Sequence, residues 1–498
     1  MAITRRQFLK RTGALTAGSF LSQGLFRNPL FLQQAMAAIG DRYLVVVFLD
    51  GGNDGLNTVV PLGDVGSSAL RAAYEAARGT GPTGLRLDTG ILTQFATDPN
   101  TGTPLALHPG MSALLDSTVR PHAAVIQGAG YPSYSLSHDE SRTAWQTGNP
   151  LGDGAFPNGW VGRYLAANYG SLEIPGVAVR SEVPGEFRQR TTNVLTINRV
   201  KDFDFPYDPS FGGDDNAKRT AYLALCDKAS SSMQPTFKYI GDSGTSTLLS
   251  TESYPQVEGP YNARSDGTTK WYKHYSNSIQ GEPVGLNTGF ARNLREVAKM
   301  IYGVSQGIPA YNPLTTRFFE VANGGYDTHR DQGIDGANDQ QNGLHHEVFD
   351  ALSLFYKDCL DMGVANKVLV LVWSEFSRRI PQNDSGTDHG SQGPVFVIGG
   401  TVNGGVAYGN HPNINGVDSG APQALDDDGN TPYSQAPNNL SDLTLPFRST
   451  DIRDIYGTIL KHWLNLDDAT TQSFLPLDTG MDPDTFWTVP NFGLGFLP

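Results

Sequence analysis

Carboxylate, imidazole and hydroxyl side chains that could bind a metal ion or attack an ester are concentrated in five short stretches of the sequence. Asp50 ends an apolar run and precedes a glycine turn, and the segment GGYDTH contains Asp327 and His329. Side chains two residues apart on an extended segment point the same way, and mixed carboxylate and imidazole ligands suit zinc, manganese or iron. Capped turns are the alternative interpretation of both stretches.

Two more stretches lie on either side of a polar loop late in the chain. Glu375 stands where one apolar run stops, and Asp388 and His389 lie in GTDHGSQGP, just before the next apolar run. Glycines on both sides of this pair let the backbone bend sharply around a ligand. The alternatives are an ion pair between Glu375 and a nearby arginine and an ordinary glycine turn at 388–389.

The fifth stretch is YPSYSLSHDESRTAWQTG, residues 131–148. Ser135, Ser137 and His138 lie where a helix is expected to begin. The helix dipole and a neighbouring metal ion both lower the pKa of a hydroxyl at this position, which makes it a candidate nucleophile. A plain N-cap serine is the alternative. The sequence contains no G-x-S-x-G elbow after a strand and no Walker-type phosphate loop.

The elements that would position these residues are buried strands alternating with helices. Three apolar runs, at 45–49, 123–127 and 368–373, each end in polar residues, which is typical of parallel strands buried on both faces. Segments 289–304, 345–363 and 453–466 have apolar residues at helical spacing. This alternation predicts an α/β fold, a mainly parallel sheet covered by helices on both sides, with ligands bound beyond the carboxyl ends of the strands.

Residues 200–285 depart from this pattern, and we predict that they form a loop-rich cap inserted over that edge. Segment 402–445 is also rich in loop residues, and its DDDGN motif lacks the spacing of a calcium-binding loop. The aromatic residues of the insertion either stack on a sugar or aromatic ligand or belong to the core. Cys226 and Cys359 lie far apart and are expected to be buried free thiols.

The N-terminal residues have the pattern of a twin-arginine export signal. Arg5 and Arg6 precede a weakly apolar stretch, and Ala35-Met36-Ala37 offers a cleavage site. We therefore expect residues 1–37 to be a signal peptide that engages the twin-arginine translocase, and residues 38–498 to be one periplasmic or secreted domain.

Removal of the signal would take away five basic residues and no acidic ones, and would change the formal net charge from −14 to −19. Such a charge disfavours nucleic acid as a partner, because that binding relies on basic surface. Beyond the signal, no apolar run approaches the ~20 residues that span a bilayer, so we expect no stable membrane insertion.

Taken together, FLDGGNDGLNTVVP, SLSHDESRTAWQTG, GGYDTHRDQ, the stretch from LVWSEFSRR to GTDHGSQGPVFVIGG, and STDIRDIYGTILKHWL resemble the bacterial family called domain of unknown function 1501. That family is similar to the alkaline phosphatase and sulfatase superfamily. The resemblance implies a three-layer α/β sandwich, a two-metal site and hydrolysis of phosphate or sulfate esters. Because the sequence departs from the superfamily pattern at two places, we expect one or two divalent ions (zinc, manganese, iron or calcium).

Carried over by motif, the resemblance assigns Ser137 as the nucleophile, with Ser135 second. It assigns metal binding to Asp50, Asp327, His329 and His389, and it places Glu375 at the late strand end. To these we add two candidates from their positions in the sequence: His138, beside the serines, as a catalytic residue, and Asp388, beside His389, as a metal ligand.

Two features depart from the superfamily pattern. Glu375-Phe376 replaces an Asp-His pair, and the interval between Asp327 and His329 is short. The sequence therefore leaves three hypotheses: a metal-dependent hydrolase of a small-molecule or polymeric ester, a non-catalytic periplasmic binding protein on the same scaffold, or a metal-independent serine esterase.

Overall fold

The computed structural model describes residues 42–66, 69–132, 134–150, 157–205, 215–275, 286–308, 315–333, 340–412, 414, 449–477 and 490–498. Its strands are β1 Tyr43–Leu49, β2 Val59–Pro61, β3 Thr93–Thr97, β4 Pro104–Leu107, β5 Ala123–Gly130, β6 Gly176–Ala178, β7 Val194–Thr196, β8 Phe318–Asn323, β9 Val368–Trp373, β10 Ser377–Arg378, β11 His389–Gly390, β12 Gly393–Gly399, β13 Ala407–Tyr408 and β14 Thr450–Asp451.

The α-helices are α1 Gly55–Thr58, α2 Leu70–Ala77, α3 His138–Thr147, α4 Trp160–Asn168, α5 Asp215–Ser230, α6 Pro235–Ser253, α7 Glu258–Asn262, α8 Gly289–Ser305, α9 Gln340–His345, α10 Ala351–Asp361, α11 Ile452–Thr458 and α12 Asp468–Phe474. A π-helical turn, His346–Asp350, joins α9 to α10, and another, Ile459–Trp463, extends α11.

The central sheet has the order β13-β5-β12-β9-β1-β8-β6-β7, with β14 also paired to β5. Strand β12 runs antiparallel to both β5 and β9, and the other pairings of this sheet are parallel. The apolar runs predicted as strands form β1, β5 and β9, all of whose residues are buried.

The side chains of β1 alternate between two apolar cores, one on each face of the sheet. Val45 and Val47 pack in the core that includes α8 and α10. Val46 and Phe48 pack in the opposite core, which includes residues of α3, α4 and α11. Because helices cover both faces, the predicted three-layer α/β architecture is confirmed.

The topology brings the candidate site residues to one edge of the sheet. Strands β1, β8 and β9 are parallel, so Asp50, residues 324–329 and Glu375 all follow carboxyl ends at this edge. Because β12 is antiparallel to them, the residues that precede it, including His389, start from the same edge. Strand β5 leads there as well, into the stretch that ends at α3.

The insertion differs from the prediction of a loop-rich cap over this edge. Its described part contains the long helices α5 and α6, packed as a hairpin. Gly241 and Gly244 weaken the helical pattern in the sequence, yet they let the helices meet: a Cβ atom at either position would lie within 2.6 Å of an atom of Cys226.

The hairpin also lies at the opposite edge of the sheet. Ser246 on α6 donates a hydrogen bond to the carbonyl oxygen of Leu172, just before β6, and Tyr254 contacts Thr316, just before β8. The tyrosines at 254, 261, 272 and 275 are buried in the core. Cys226 and Cys359 are buried free thiols, as expected.

Two expectations lie outside the described residues: the signal peptide at 1–37 and the DDDGN motif. In the part of the chain that the structure does describe, no helix is both long and apolar enough to cross a membrane.

Candidate metal centre

Two glycines after β1 allow three segments to meet at the carboxyl edge. Gly51 and Gly52 have φ angles of +125° and +84°, which side-chain-bearing residues rarely adopt. A Cβ atom on Gly51 would lie 2.3 Å from the backbone nitrogen of Asp327, and one on Gly52 would lie 2.3 Å from the Phe376 ring. The loop therefore packs between the segments that follow β8 and β9 only because it has no side chains here.

Arg378 is a fully buried side chain beneath this loop. Its guanidinium donates to the carbonyl oxygens of Gly51, Gly52 (2.7 Å), Tyr326 (2.8 Å) and, on the other side, Thr387 (3.1 Å). It also donates to Oδ1 of Asp327 at 2.8 Å. This arginine fixes the loop and the Asp327 carboxylate relative to each other.

Asp327 is ionised at neutral pH. Partial burial raises its pKa, but the hydrogen bond and positive charge of Arg378, together with the neighbouring imidazole of His389, outweigh burial and bring the pKa to about 2. Half of the side chain is exposed, so the carboxylate can face a ligand.

The imidazole of His389 presents an unprotonated nitrogen to Asp327. Its Nδ1 lies 2.8 Å from the carbonyl oxygen of Leu136, which can only accept a hydrogen bond. Nδ1 therefore carries the proton of the neutral ring, and Nε2 has a free lone pair 3.1 Å from Oδ1 of Asp327. Burial lowers the pKa of His389, which favours this neutral form.

His138 and His329 are oriented in the same way as His389, but an oxygen of a carboxylate, not of a carbonyl group, lies beside Nδ1 of each. Nδ1 of His138 lies 2.8 Å from Oε1 of Glu375, and Nδ1 of His329 lies 3.1 Å from Oδ1 of Asp388. Their Nε2 atoms lie 3.5 and 3.2 Å from the oxygens of Asp327. A carboxylate that holds the far nitrogen of a histidine fixes its ring orientation and tautomer, as in many metal sites.

Three Nε2 atoms and one carboxylate thus converge, and this set fits a divalent metal ion. Among the described residues, His138, Asp327 and His389 each offer a ligand atom within 4.8 Å of the others. Nε2 of His329 lies 2.9 Å from Nε2 of His389. With both Nδ1 atoms protonated, this contact brings two lone pairs together, and a cation between them would make it favourable.

The spacing of these atoms also fits a metal ion. Tetrahedral bonds of ~2.0–2.1 Å place neighbouring ligand atoms about 3.3 Å apart. Three separations, 2.9, 3.1 and 3.2 Å, join Nε2 of His329, Nε2 of His389 and Oδ1 of Asp327 and lie close to that value. Nε2 of His138 lies 3.5 Å from the other oxygen of Asp327, Oδ2.

Glu375 and Asp388, predicted as ligands, take part as supports. The Glu375 carboxylate is fully buried and accepts hydrogen bonds from the backbone N–H groups of Gly51 (3.0 Å) and Gly52 (3.2 Å). Its contact with His138 raises the pKa of that imidazole more than burial lowers it. Neither carboxylate is among the converging Nε2 and Asp327 atoms, and their direct ligation stays a prediction.

Asp50 lies beside the cluster with another partner. Its Oδ1 is 2.6 Å from Nη2 of Arg142, one helical turn after His138. Burial raises the pKa of Asp50, while Arg142 opposes the shift. The described contacts give Asp50 a role in an ion pair, and its ligation of a metal also stays a prediction.

The two candidate nucleophiles differ in their contacts. Ser137 is the N-cap residue of α3 but its hydroxyl makes no capping bond, and the residue is exposed between Leu136 and His138, which both contact the cluster. Ser135 donates to Glu140 at 2.7 Å and accepts from the N–H of Ser137. The free hydroxyl favours Ser137.

Three groups that support the site were not predicted from the sequence: the Leu136 carbonyl group, the Arg142 side chain, and Arg378 as the residue that fixes the loop and Asp327. Only Arg142 left a usable signal, because residues four apart share a helix face and it follows His138 by four. The sequence suggested an arginine close to Glu375 as the ion-pair partner of that carboxylate, but Arg378 pairs with Asp327 instead.

Comparison with known protein families gives a match over one region of the chain. Residues 314–454 match the family described as "Protein of unknown function (DUF1501)". This region contains Asp327, His329, Glu375, Asp388 and His389. No curated protein matches the chain.

Among solved structures, the chain is similar to the lipoteichoic acid synthase LtaP from Listeria monocytogenes. The identity is 10%, the TM-score is 0.25, and the match covers 78% of this chain and 75% of LtaP. A TM-score of this size adds nothing to what the chain's own sheet and side chains show.

Proposed function

We propose that this protein is an exported, metal-dependent hydrolase of phosphate or sulfate esters. The observation that carries the proposal is the convergence of three imidazole Nε2 atoms on the Asp327 carboxylate, each ring held at Nδ1 by an oxygen acceptor. Export rests on the twin-arginine pattern of residues 1–37.

The donor set favours some ions over others. Three imidazoles and one carboxylate suit zinc, manganese or iron, whereas calcium prefers oxygen ligands alone. His138, Asp327, His329 and His389 would hold the ion. When bound, it would polarise the ester oxygen and lower the pKa of a nearby hydroxyl or water.

The protein's own groups would orient the ester around this centre. Ser137 offers an oxygen that no cap hydrogen bond occupies. It stands at the start of the ten-residue helix α3, whose positive dipole end favours an anionic group. Arg142 lies on the same helix, one turn on, where its guanidinium pairs with the carboxylate of Asp50.

The test is hydrolysis of p-nitrophenyl phosphate and p-nitrophenyl sulfate by the exported protein loaded with zinc, manganese or iron. We expect Ser137→Ala to abolish turnover and to leave bound metal unchanged. Thr143→Ala, a hydroxyl deletion on the exposed face of the same helix, is the matched control and should retain activity.

Other outcomes of these assays would favour one of the alternative functions or the other candidate nucleophile. Metal binding without hydrolysis of either ester class would favour the non-catalytic binding protein. Labelling of Ser137 by a fluorophosphonate probe in metal-free protein would favour the serine esterase. Loss of activity in Ser135→Ala alone would exchange the roles of the two serines.

A further inference from the structure

The hairpin of α5 and α6 exposes an apolar cluster that nothing in the described fold covers. Met233 is fully exposed at the turn, and Phe237 and Ile240 on α6 are 59% and 55% exposed. Phe237 and Ile240 lie three residues apart and so share one face of α6, and Met233 lies in the turn just before that helix begins. These three residues are called the apolar tip. A cluster of large exposed apolar side chains marks a docking surface more often than single ones do.

The apolar tip belongs to the amino edge of the sheet. Tyr239 on α6 donates a hydrogen bond to the carbonyl oxygen of Thr192, just before β7, and Ser246 does the same to Leu172, before β6. The described chain begins at the same edge, because Arg42 directly precedes β1 and contacts the carbonyl oxygens of His462 and Trp463. Residues 1–41 therefore connect to the fold at the edge that carries the hairpin.

Net charge distinguishes among the partners that could bind the apolar tip. Residues 1–37 contain five basic residues and no acidic ones, while residues 38–498 have a formal net charge of −19. A second copy of the body or an anionic lipid surface would be repelled by this charge, whereas the N-terminal segment is attracted. That segment also supplies apolar partners for the tip, among them Leu25, Phe26, Leu30 and Phe31.

We propose that the apolar tip is the docking site of the chain's own N-terminal segment, residues 1–37. While the segment is attached, its apolar residues cover Met233, Phe237 and Ile240, and the acidic body holds its basic residues close. Loss of the segment leaves the tip exposed. This inference is independent of the metal centre, which lies at the opposite edge of the sheet.

Photo-crosslinking in the full-length chain tests the proposal. A benzophenone amino acid replaces Ile240 in one variant and Ile91 in the control, because both side chains are 55% exposed. Phe237 provides a second probe position if the first variant does not fold. Equal amounts of ¹⁴N- and ¹⁵N-labelled chains are mixed, so that mass spectrometry separates products within one chain from products between chains.

We expect probes at 240 and 237 to join peptides from residues 1–37 of the same chain, and the probe at 91 to give no such product. Replacement of Phe26 and Phe31 by serine should abolish the product. Absence of leader peptides at the tip, or equal yields from position 91, would overturn the proposal. Products between chains would assign the tip to a second copy, and transfer of the crosslink to added phosphatidylglycerol vesicles would assign it to lipid; either result would overturn it too.

Discussion

The substitution Glu375→Gln separates a supporting carboxylate from a metal ligand. Glu375 is fully buried and accepts hydrogen bonds from the N–H groups of Gly51 and Gly52 and from Nδ1 of His138. The amide keeps one oxygen, but its NH₂ group would face donors and lose at least one of these bonds. The same substitution removes the negative charge that fixes the tautomer of His138.

The magnitude follows from these contacts. Hydrogen bonds to a charged group contribute about 1.5–3 kcal/mol each, so loss of one or two should lower the free energy of unfolding by roughly 2–4 kcal/mol. Loss of an outer carboxylate that orients a histidine ligand lowers metal affinity by about 10–100-fold. Urea denaturation measures the first quantity and competition with a chromogenic chelator the second.

The control is Glu182→Gln, which removes a charge from an exposed side chain and should change stability by no more than ~0.5 kcal/mol. Unchanged metal affinity in Glu375→Gln would refute the role of His138 as a ligand held by this carboxylate. Complete loss of binding, well beyond 100-fold, would place Glu375 itself among the ligands, as the sequence comparison with the superfamily implies.

Two further predictions concern the support of the site and the pH dependence of folding. Gly52→Ala should displace the Phe376 ring, which a Cβ atom would meet at 2.3 Å. It should therefore weaken metal binding in a chelator-competition assay and lower the free energy of unfolding in a denaturation assay. The control Gly63→Ala, whose Cβ atom would meet nothing within 4 Å, should change neither quantity, and equal effects of the two substitutions would refute the packing argument. Burial lowers the pKa of His108 from 6.5 to about 3, so the unfolded chain binds a proton first as the pH falls below 6.5, and folding stability should drop by about 3 kcal/mol by pH 4.5. His108→Gln should remove that part of the pH dependence in urea denaturation at a series of pH values, and an unaltered pH profile would contradict it.

The fold was largely predictable because its signals are local. Continuous apolar runs such as Val368–Trp373 have few alternatives to a buried parallel strand, and the strand has these bounds in the structure. The helices α8, α10 and α11 follow from apolar spacing in the same way. The insertion was harder, since glycines and serines dilute the pattern of α6 while its packing on α5 depends on a contact distant in sequence.

The candidate site shows where sequence reasoning stops. Residue types identified the side chains that gather at the carboxyl edge, but they did not separate ligands from supports. Asp388 and Asp327 are equally good ligands as isolated carboxylates; the structure directs the first to Nδ1 of His329 and the second to the Nε2 atoms. That difference arises from Arg378, whose guanidinium fixes Asp327 through contacts across the loops.

The most direct test is the metal content of the exported protein, purified without added metal or chelating tags, beside the variant Asp327→Asn. We predict about one equivalent of zinc, manganese or iron in the native protein, little or none in Asp327→Asn, and a native amount in the exposed control Asp331→Asn. A native protein that contains no such metal and takes up none on titration would contradict the metal centre and the hydrolase proposal with it.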